Sequence, residues 1–210
     1  MKSEQIKEKG ILAKLLEQSI KFLLKKECKK ISNIKIDIVA SSIEIIKGII
    51  RKINIRAEEI NYKDLLFDEI ELEANKVKLN FKITSKELKF KNNFIINFKI
   101  SLSEKSLENI LLSKNWHWIG KMITNEMSLQ DKLESLTIKN GQILINTSKD
   151  NNIIKEGEKF DIRTENGNLY LENKAFNKSM KIPIEDKVCI KRVNIENNLI
   201  NIFANSSISF

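Results

Sequence analysis

Apolar and polar residues alternate over much of the chain, and this two-residue period is the pattern of half-buried β-strands. Alternation predicts strands at residues 31–39, 49–60, 66–83 and 93–102. Within the longest of these runs, the apolar positions change phase between Ala74 and Val77. One extra residue restores the inward face and bends a strand, so we expect a β-bulge near Asn75.

Tight turns are predicted where two residues that tolerate positive φ separate alternating segments. The strongest such signal is Asn140-Gly141, a second is Asn166-Gly167, and Asn197-Asn198 separates the last two segments. We expect each of these pairs to close a hairpin, so that the chain beyond Leu136 consists of short antiparallel strands.

Apolar residues at helical spacing predict the helices of this chain. Residues 10–26 are predicted to form one helix, and Ser41 or Ser42 is expected to cap a short helix that Gly48 ends. Two further helices are predicted in the middle of the chain, one capped by Ser103 and one that carries both Trp residues.

Together these elements predict an α+β fold in which a long, bent, mostly antiparallel β-sheet wraps a few helices. No Pro-rich or Gly-rich linker divides the chain. We therefore expect a single domain over residues 31–210, preceded by an N-terminal amphipathic helix within residues 1–30.

The first helix has more apolar surface than a helix on the outside of a protein needs. Its apolar side chains span roughly 220° at about 100° per residue, about twice the arc of a surface helix. Lys14, Lys21 and Lys25 share the opposite side. Such a helix is either buried on two sides, or part of it contacts a membrane or a partner. The apolar set is Ile11, Leu12, Leu15, Leu16, Ile20, Phe22, Leu23 and Leu24.

The composition makes the chain basic, with 37 Lys and Arg residues against 28 Asp and Glu residues and a net charge of +9. This charge is compatible with nucleic acid, with an anionic membrane surface, or with no specific partner. Almost all of the basic residues are Lys, and Lys, Asn and Ile are abundant together, as an AT-rich genome would produce. The charge alone therefore does not select a partner.

Candidate catalytic chemistry is sparse in this sequence. His117 is the only His, and its position between Trp116 and Trp118 favours a packing or interface role over that of a catalytic base. Cys28 and Cys189 are far apart and match no metal-binding or redox spacing. The six Gly residues are isolated, so no phosphate-binding loop is indicated. We expect no catalytic residues, no metal and no cofactor, and hence a protein that is not an enzyme.

Two charged clusters have both a structural and a functional interpretation. The carboxylates could supply a general acid and base, but we expect solvated residues near a turn. They are Asp64, Asp68 and Glu69. The basic run could bind phosphates, although a helix C-terminus also favours Lys through its dipole. It consists of Lys25, Lys26, Lys29 and Lys30.

Several short motifs occur in a characteristic order: a Gly that ends a short apolar helix, a strand, a Tyr-Lys-x-Leu turn, a very long strand and a Leu-(Ser/Thr)-Glu-x-x-Leu helix. They are Ile46-Lys47-Gly48-Ile49-Ile50, Ile53-Asn54-Ile55, Ile60-Asn61-Tyr62-Lys63-Asp64-Leu65, Ile70-Glu71-Leu72 and Leu102-Ser103-Glu104-Lys105-Ser106-Leu107. In this order they resemble the LmeA-like phospholipid-binding family of bacteria. Ile182-Pro183-Ile184-Glu185-Asp186 also resembles a segment of members from photosynthetic bacteria. The resemblance covers about the whole chain and implies a phospholipid ligand.

We therefore expect a non-catalytic protein that binds phospholipid or associates with a membrane surface. The first helix would lie on an anionic leaflet with apolar side chains inserted and Lys side chains near the headgroups, and two Trp rings would lie at the mouth of the site. The expected contact residues are Leu15, Lys21, Phe22, Leu23, Lys25, Lys26, Trp116 and Trp118. The alternative is an intracellular scaffold or a weak nucleic-acid binder that uses the basic run.

The N-terminal residues have no apolar core of the kind that a signal peptide carries. No segment approaches the roughly 18 apolar residues of a transmembrane helix. We expect a cytoplasmic protein, at most peripheral to a membrane. The chain differs in this respect from family members that carry an export signal or an N-terminal anchor.

Overall fold

The computed structural model describes residues 10–82, 87–129, 132–148 and 157–209. The helices within these residues are α1 (Ile11–Glu27), α2 (Ser42–Ile46), α3 (Glu104–Leu112) and α4 (His117–Glu126). The strands are β1 (Lys30–Val39), β2 (Ile49–Tyr62), β3 (Leu65–Lys82), β4 (Glu87–Phe90), β5 (Phe94–Ser103), β6 (Lys132–Lys139), β7 (Gln142–Ser148), β8 (Glu158–Glu165), β9 (Asn168–Asn173), β10 (Lys178–Lys181), β11 (Val188–Glu196) and β12 (Leu199–Ile208).

The strands form two antiparallel sheets. The first has seven strands in the order β1-β2-β3-β5-β12-β11, with β4 paired to β3, and the second has five strands in the order β10-β9-β8-β7-β6. The predicted class, α+β with mostly antiparallel strands, is confirmed. The prediction of one sheet is wrong, because β6 follows the helix pair α3 and α4 and pairs with β7 instead of with the first sheet.

The first sheet has one apolar and one polar face, as antiparallel sheets commonly do. An apolar row crosses it in register from β1 to β12 and consists of Ile36, Ile55, Leu72, Phe98 and Ala204. The next row along the strands points to the other side, because side chains alternate between faces. That row is charged over four strands and consists of Lys35, Arg56, Glu71 and Lys99.

The apolar faces pack into clusters that join the helices to the sheets. In one cluster, Phe160 and Met180 of the second sheet are buried together with Leu102 and Ile200 of the first, and α3 and α4 also contribute buried residues. A second cluster places Leu16 of α1, which is fully buried, against β1, β2 and β3. Both sheets therefore share a core, and α1 packs on the first sheet.

The predicted hairpin turns are confirmed. Asn140 and Gly141, with φ of 53° and 74°, join β6 to β7. Asn166-Gly167 joins β8 to β9 and Asn197-Asn198 joins β11 to β12, and both residues of each pair also have positive φ. Positive φ at both central residues is typical of the type I′ turn, whose twist matches that of the two paired strands.

The predicted caps of two helices are confirmed as well. The Ser41 side chain accepts a hydrogen bond from the Glu44 N–H, and the Glu44 carboxylate accepts one from the Ser41 N–H, which forms a capping box at α2. Gly48 has a φ of 71° just beyond the end of this helix. Ser103 caps α3 by accepting a hydrogen bond from the Ser106 N–H.

The bulge predicted near Asn75 is wrong, although the backbone there is irregular. β2 and β3 keep one register on both sides of that point, and Lys76 adopts a φ of 53° without adding a residue to the strand. Both strands change the phase of their apolar residues at this point. Ile50 and Ile53 of β2 are buried, and so are their partners in β3, Val77 and Ala74.

Extra residues instead occur between β1 and β2. The register of this pair shifts by one residue on either side of the Ser32–Glu58 pair, which leaves one extra residue in each strand. Asn33 and Glu59, with φ of 47° and 50°, lie at the two shifts.

Among the described residues, no helix is long and apolar enough to cross a membrane.

Candidate functional site

One side of α1 is buried against the first sheet. The buried residues are Ala13, Leu16 and Ser19, with Ile20 and Leu24 also packed against apolar clusters of the sheet. The buried Ser19 hydroxyl donates to the Leu15 carbonyl oxygen at 3.0 Å, which satisfies its hydrogen-bonding capacity inside the helix.

A second apolar stripe on α1 does not face the sheet. Ile11, Leu15 and Phe22 lie within about 40° of each other around the helix axis, because they are four and eleven residues apart. Ile11 is 78% exposed and Phe22 is 62% exposed, whereas Leu15 is half-buried. We call these three residues the outer stripe. Among the residues that the structure describes, α1 is therefore buried on one side only, which contradicts the first of the two explanations for its wide apolar arc.

Lysines flank the outer stripe on both sides. Lys14, Lys21 and Lys25 line one side at helical spacing, and Lys26 lies on the other side. All four are exposed, and within the described residues none of them forms an ion pair. An exposed apolar stripe bordered by unpaired Lys is the arrangement found in helices that lie in a membrane interface.

The short helix α2 adds two exposed apolar side chains at the N-terminal end of α1. Ile43 is 65% exposed and Ile46 is 76% exposed, and they lie three residues apart on one side of this helix. The two helices start beside each other, because a Cβ atom placed on Gly10 would lie 2.9 Å from the Ser42 hydroxyl oxygen. We call the outer stripe, its four lysines, Ile43 and Ile46 the α1–α2 surface.

The two Trp residues lie near the opposite end of α1. Asp64, in the turn between β2 and β3, accepts from Lys29 Nζ at 2.5 Å and from Asn115 Nδ2 at 2.7 Å. These bonds join the residues that follow α1 to the segment that precedes α4. Trp116 in that segment is half-buried and donates its Nε1–H to the Lys63 carbonyl oxygen at 2.8 Å, while Trp118 is exposed.

The expected contact residues therefore fall into two groups. Lys21, Phe22, Leu23, Lys25 and Lys26 are exposed on α1, while Leu15, a member of the outer stripe, is half-buried. Trp116 and Trp118 form a separate group near the C-terminal end of the helix.

Sequence reasoning left Ile11 out of the contact set and missed Ile43 and Ile46 entirely. The sequence could have indicated Ile43 and Ile46, because they are three residues apart in a predicted helix that is too short to bury both of its sides.

The basic run after α1 is partly neutralised. Lys29 pairs with Asp64, and Lys30 Nζ lies 2.8 Å from Glu59 Oε2. The Lys30 hydrogen bond, followed by that of Ser32, lowers the pKa of the Glu59 carboxyl. Only Lys25 and Lys26 of this run remain outside ion pairs within the described residues, which weakens the case for a phosphate-binding track.

The carboxylates and the single His have structural partners. Asp68 accepts from both the N–H and the hydroxyl of Ser103, at 2.5 and 3.0 Å, and so holds the start of α3. The His117 ring is exposed, with Nδ1 2.9 Å from the Lys114 carbonyl oxygen. Within the described residues no group of three or more His, Cys, Asp or Glu side chains could hold a metal ion.

The two cysteines are free thiols. Burial, with a smaller contribution from Glu27, raises the pKa of the Cys28 thiol. A raised pKa keeps this thiol protonated and therefore poorly nucleophilic near neutral pH.

A cavity of about 690 Å³ lies over the polar face of the first sheet. Its lining contains the apolar row that runs from Ile36 to Ala204 and the polar rows on both sides of it. The apolar residues that flank this row on the other face do not line the cavity, which places it on the polar face. Four basic and three acidic residues line it, and its Glu73 pairs with Lys52 at 2.6 Å. Because the charges nearly cancel, this cavity has little preference for a charged ligand.

These features define an α+β protein with a helical surface that combines exposed apolar and unpaired basic side chains. Comparison with protein-family models, with curated proteins and with solved structures found no match. The resemblance to the LmeA-like family therefore stays a prediction.

Proposed function

We propose that this protein associates with anionic membranes or binds phospholipid without catalysis, and that it does so through the α1–α2 surface. The observation that carries the proposal is the outer stripe itself. Ile11 and Phe22 expose most of their side chains to water on a helix whose other side is already buried. Exposed apolar side chains that are grouped, rather than scattered singly, mark interaction surfaces.

The magnitudes favour an apolar contact that is assisted by charge. Complete removal of a Phe or Ile side chain from water contributes roughly 1.5–3 kcal/mol. Each Lys close to an anionic surface adds about 1 kcal/mol. Insertion of Ile11, Phe22, Ile43 and Ile46 would therefore outweigh the attraction of the neighbouring lysines. The lysines would still select anionic over neutral lipid.

A non-catalytic role is supported by the partners of the acidic residues. Asp64 and Asp68, which could have served as general acid or base, are held by Lys29, Asn115 and Ser103. We also propose that Trp118, which is exposed near the C-terminal end of α1, lies at the edge of the contact region.

Vesicle flotation tests the proposal with a matched pair of variants. Phe22→Ser removes the largest side chain of the outer stripe, and Phe176→Ser removes one that is 60% exposed on the turn between β9 and β10 of the second sheet. We expect binding to phosphatidylcholine vesicles that contain phosphatidylglycerol, and little change in Phe176→Ser. Because 62% of Phe22 is exposed and available for burial, Phe22→Ser should lose about five- to thirtyfold in affinity.

Salt separates this function from the nucleic-acid alternative. Binding that depends on phosphate contacts alone weakens steeply as salt rises, whereas apolar insertion persists. Absence of flotation, or an equal loss in Phe22→Ser and Phe176→Ser, would contradict the proposal. If the protein does not bind vesicles but retains RNA or DNA in a gel shift at low salt, the nucleic-acid alternative is favoured.

A further inference from the structure

A cavity of about 320 Å³ lies between the basic side of α1 and the irregular part of β1. Its charged lining residues are all basic: Lys21 and Lys25 come from the helix, and Lys35 comes from β1, the edge strand of the first sheet, where it also lines the larger cavity of the polar face. Ser32 and Asn33 supply polar groups, and Ile31 and Ile34 complete the lining. The volume is at the lower end of that of ligand sites in proteins, which suits a small headgroup.

The register shift in β1 accounts for this cavity. The pairs Ser32–Glu58 and Lys35–Arg56 enclose two residues of β1 but only one of β2. The extra residue bends the strand, and Asn33 takes the left-handed conformation that Asn tolerates better than most residues. The strand therefore departs from regular pairing at the point where the lysines of α1 face it.

The carboxylates near the cavity already have partners. Glu58 Oε2 accepts from Asn33 Nδ2 at 2.6 Å. Glu59 Oε2 accepts from the Ser32 hydroxyl at 3.0 Å and pairs with Lys30 at 2.8 Å. By contrast, within the described residues none of the three lysines that line the cavity forms an ion pair. The lining therefore contains three lysines and no acidic residue, and this excess of positive charge favours an anion.

We propose that this cavity binds the phosphate group of an anionic phospholipid headgroup. The inference rests on the proposed membrane function and names the ligand chemistry for it. Lys21 and Lys25 lie on the side of α1 next to the outer stripe, and Phe22 is a neighbour of Lys25 on the helix surface, three residues before it. A headgroup held by Lys21, Lys25 and Lys35 would leave its acyl chains beside the apolar side chain of Phe22.

A soluble probe tests the site without a membrane. Short-chain phosphatidylglycerol, below the concentration at which it forms micelles, is titrated into the full chain while the backbone amide signals of Ser32 and Asn33 are followed by NMR. We expect saturable shifts of these signals. Lys21→Gln, Lys25→Gln and Lys35→Gln should each weaken the apparent affinity about fivefold, because one cationic contact with the phosphate is lost.

Lys139→Gln is the matched control, since Lys139 is an exposed lysine of β6 in the second sheet that belongs neither to the cavity lining nor to the α1–α2 surface. It changes the net charge by the same amount and should alter the affinity less than twofold. An equal loss in Lys139→Gln, or shifts that do not saturate, would overturn the site. Inorganic phosphate is the second probe, and binding as tight as that of the short-chain lipid would overturn the assignment to a lipid headgroup.

The two proposals fail in different ways. If the soluble lipid binds and depends on Lys35 while Phe22→Ser floats like the unmodified protein, the headgroup site stands and insertion of the outer stripe is wrong. If flotation depends on Phe22 while the soluble lipid shows no saturable binding, the membrane function stands and the headgroup site is wrong.

Discussion

The backbones of Gly48 and Leu79 lie directly against each other. The Leu79 N–H donates to the Gly48 carbonyl oxygen at 2.9 Å, and a Cβ atom placed on Gly48 would lie 2.1 Å from the Leu79 carbonyl oxygen. Gly48 also has a φ of 71°, in the left-handed region where side chains are strained. The contact joins the end of α2, which carries two exposed apolar residues of the α1–α2 surface, to β3.

Substitution of Gly48 by Ala is expected to destabilise the protein by at least about 3 kcal/mol. The left-handed conformation alone costs about 1–2 kcal/mol for a residue with a side chain, and the clash with the Leu79 backbone adds to it. Gly141→Ala isolates the conformational cost, because Gly141 has a φ of 74° and no atom within 4 Å of its would-be Cβ. Urea denaturation measures both variants, and equal losses would contradict the close approach.

Removal of the Asp68 side chain is expected to weaken the start of α3. Asp68→Ala leaves the half-buried N–H of Ser103 without its acceptor and limits the Ser103 hydroxyl to the Ser106 hydroxyl oxygen at 3.3 Å, which costs about 1–3 kcal/mol. Asp68→Asn keeps one acceptor oxygen and should lose less. Thermal unfolding followed by circular dichroism compares the two variants. A normal stability of Asp68→Ala would show that these hydrogen bonds contribute nothing.

The local parts of this fold could be predicted from the sequence because their signals are local. Asn140-Gly141 tolerates positive φ at both turn positions, and Ser41 with Glu44 forms a capping box whatever the rest of the chain does. The division into two sheets depends on pairings between distant segments. The buried hydrogen bond from the Ser101 hydroxyl to Asn201 Oδ1, at 2.8 Å, joins residues 100 positions apart, and no local pattern specifies it.

The candidate site could be predicted only in part for a similar reason. The periodicity of α1 shows that its apolar arc is too wide for a surface helix, but the direction in which the helix packs decides which apolar residues remain exposed. Packing buries Leu16 and leaves Phe22 in water. The cavity beside Lys21 depends on a register shift at Asn33. The apolar positions change phase between Ile31 and Ile34, but the same signal near Asn75 marks no extra residue, so a phase change alone does not identify a bulge.

The stability of the second sheet is expected to depend on the ionisation of Asp161. The Lys174 hydrogen bond, followed by that of Gln142, lowers the pKa of the Asp161 carboxyl. A group whose pKa is lower in the folded state stabilises the protein above its unfolded pKa of about 4, and this contribution is lost as the pH falls through the folded pKa. The destabilisation caused by Asp161→Asn should be under about 1 kcal/mol at pH 7, because Lys174 is well exposed.

The pH dependence of that loss provides the check. The difference in free energy of unfolding between the unmodified protein and Asp161→Asn should shrink as the pH falls below about 4, where the carboxyl of the unfolded chain becomes protonated, and vanish below the lower pKa of the folded protein. NMR titration of the carboxyl should give a higher pKa in Lys174→Met than in the unmodified protein. An unchanged pKa in that variant would show that the ion pair between Lys174 and Asp161, at 2.8 Å, is not the main cause of the lowered pKa.

Trp118 is expected to report contact of the C-terminal end of α1 with a membrane. Lys29 and Asn115 share the Asp64 carboxylate, so the segment that carries both Trp residues is tied to the end of the helix. Trp118 is 43% exposed, and an indole ring favours the boundary between water and lipid. On addition of vesicles that contain phosphatidylglycerol, we expect a shift of Trp emission to shorter wavelength and quenching by brominated lipid. Both effects should be lost in Trp118→Phe and kept in Trp116→Phe, because the Trp116 Nε1–H is already bonded to the Lys63 carbonyl oxygen. Vesicle binding through α1 with no change in emission would exclude Trp118 from the contact region and confine it to the outer stripe and α2.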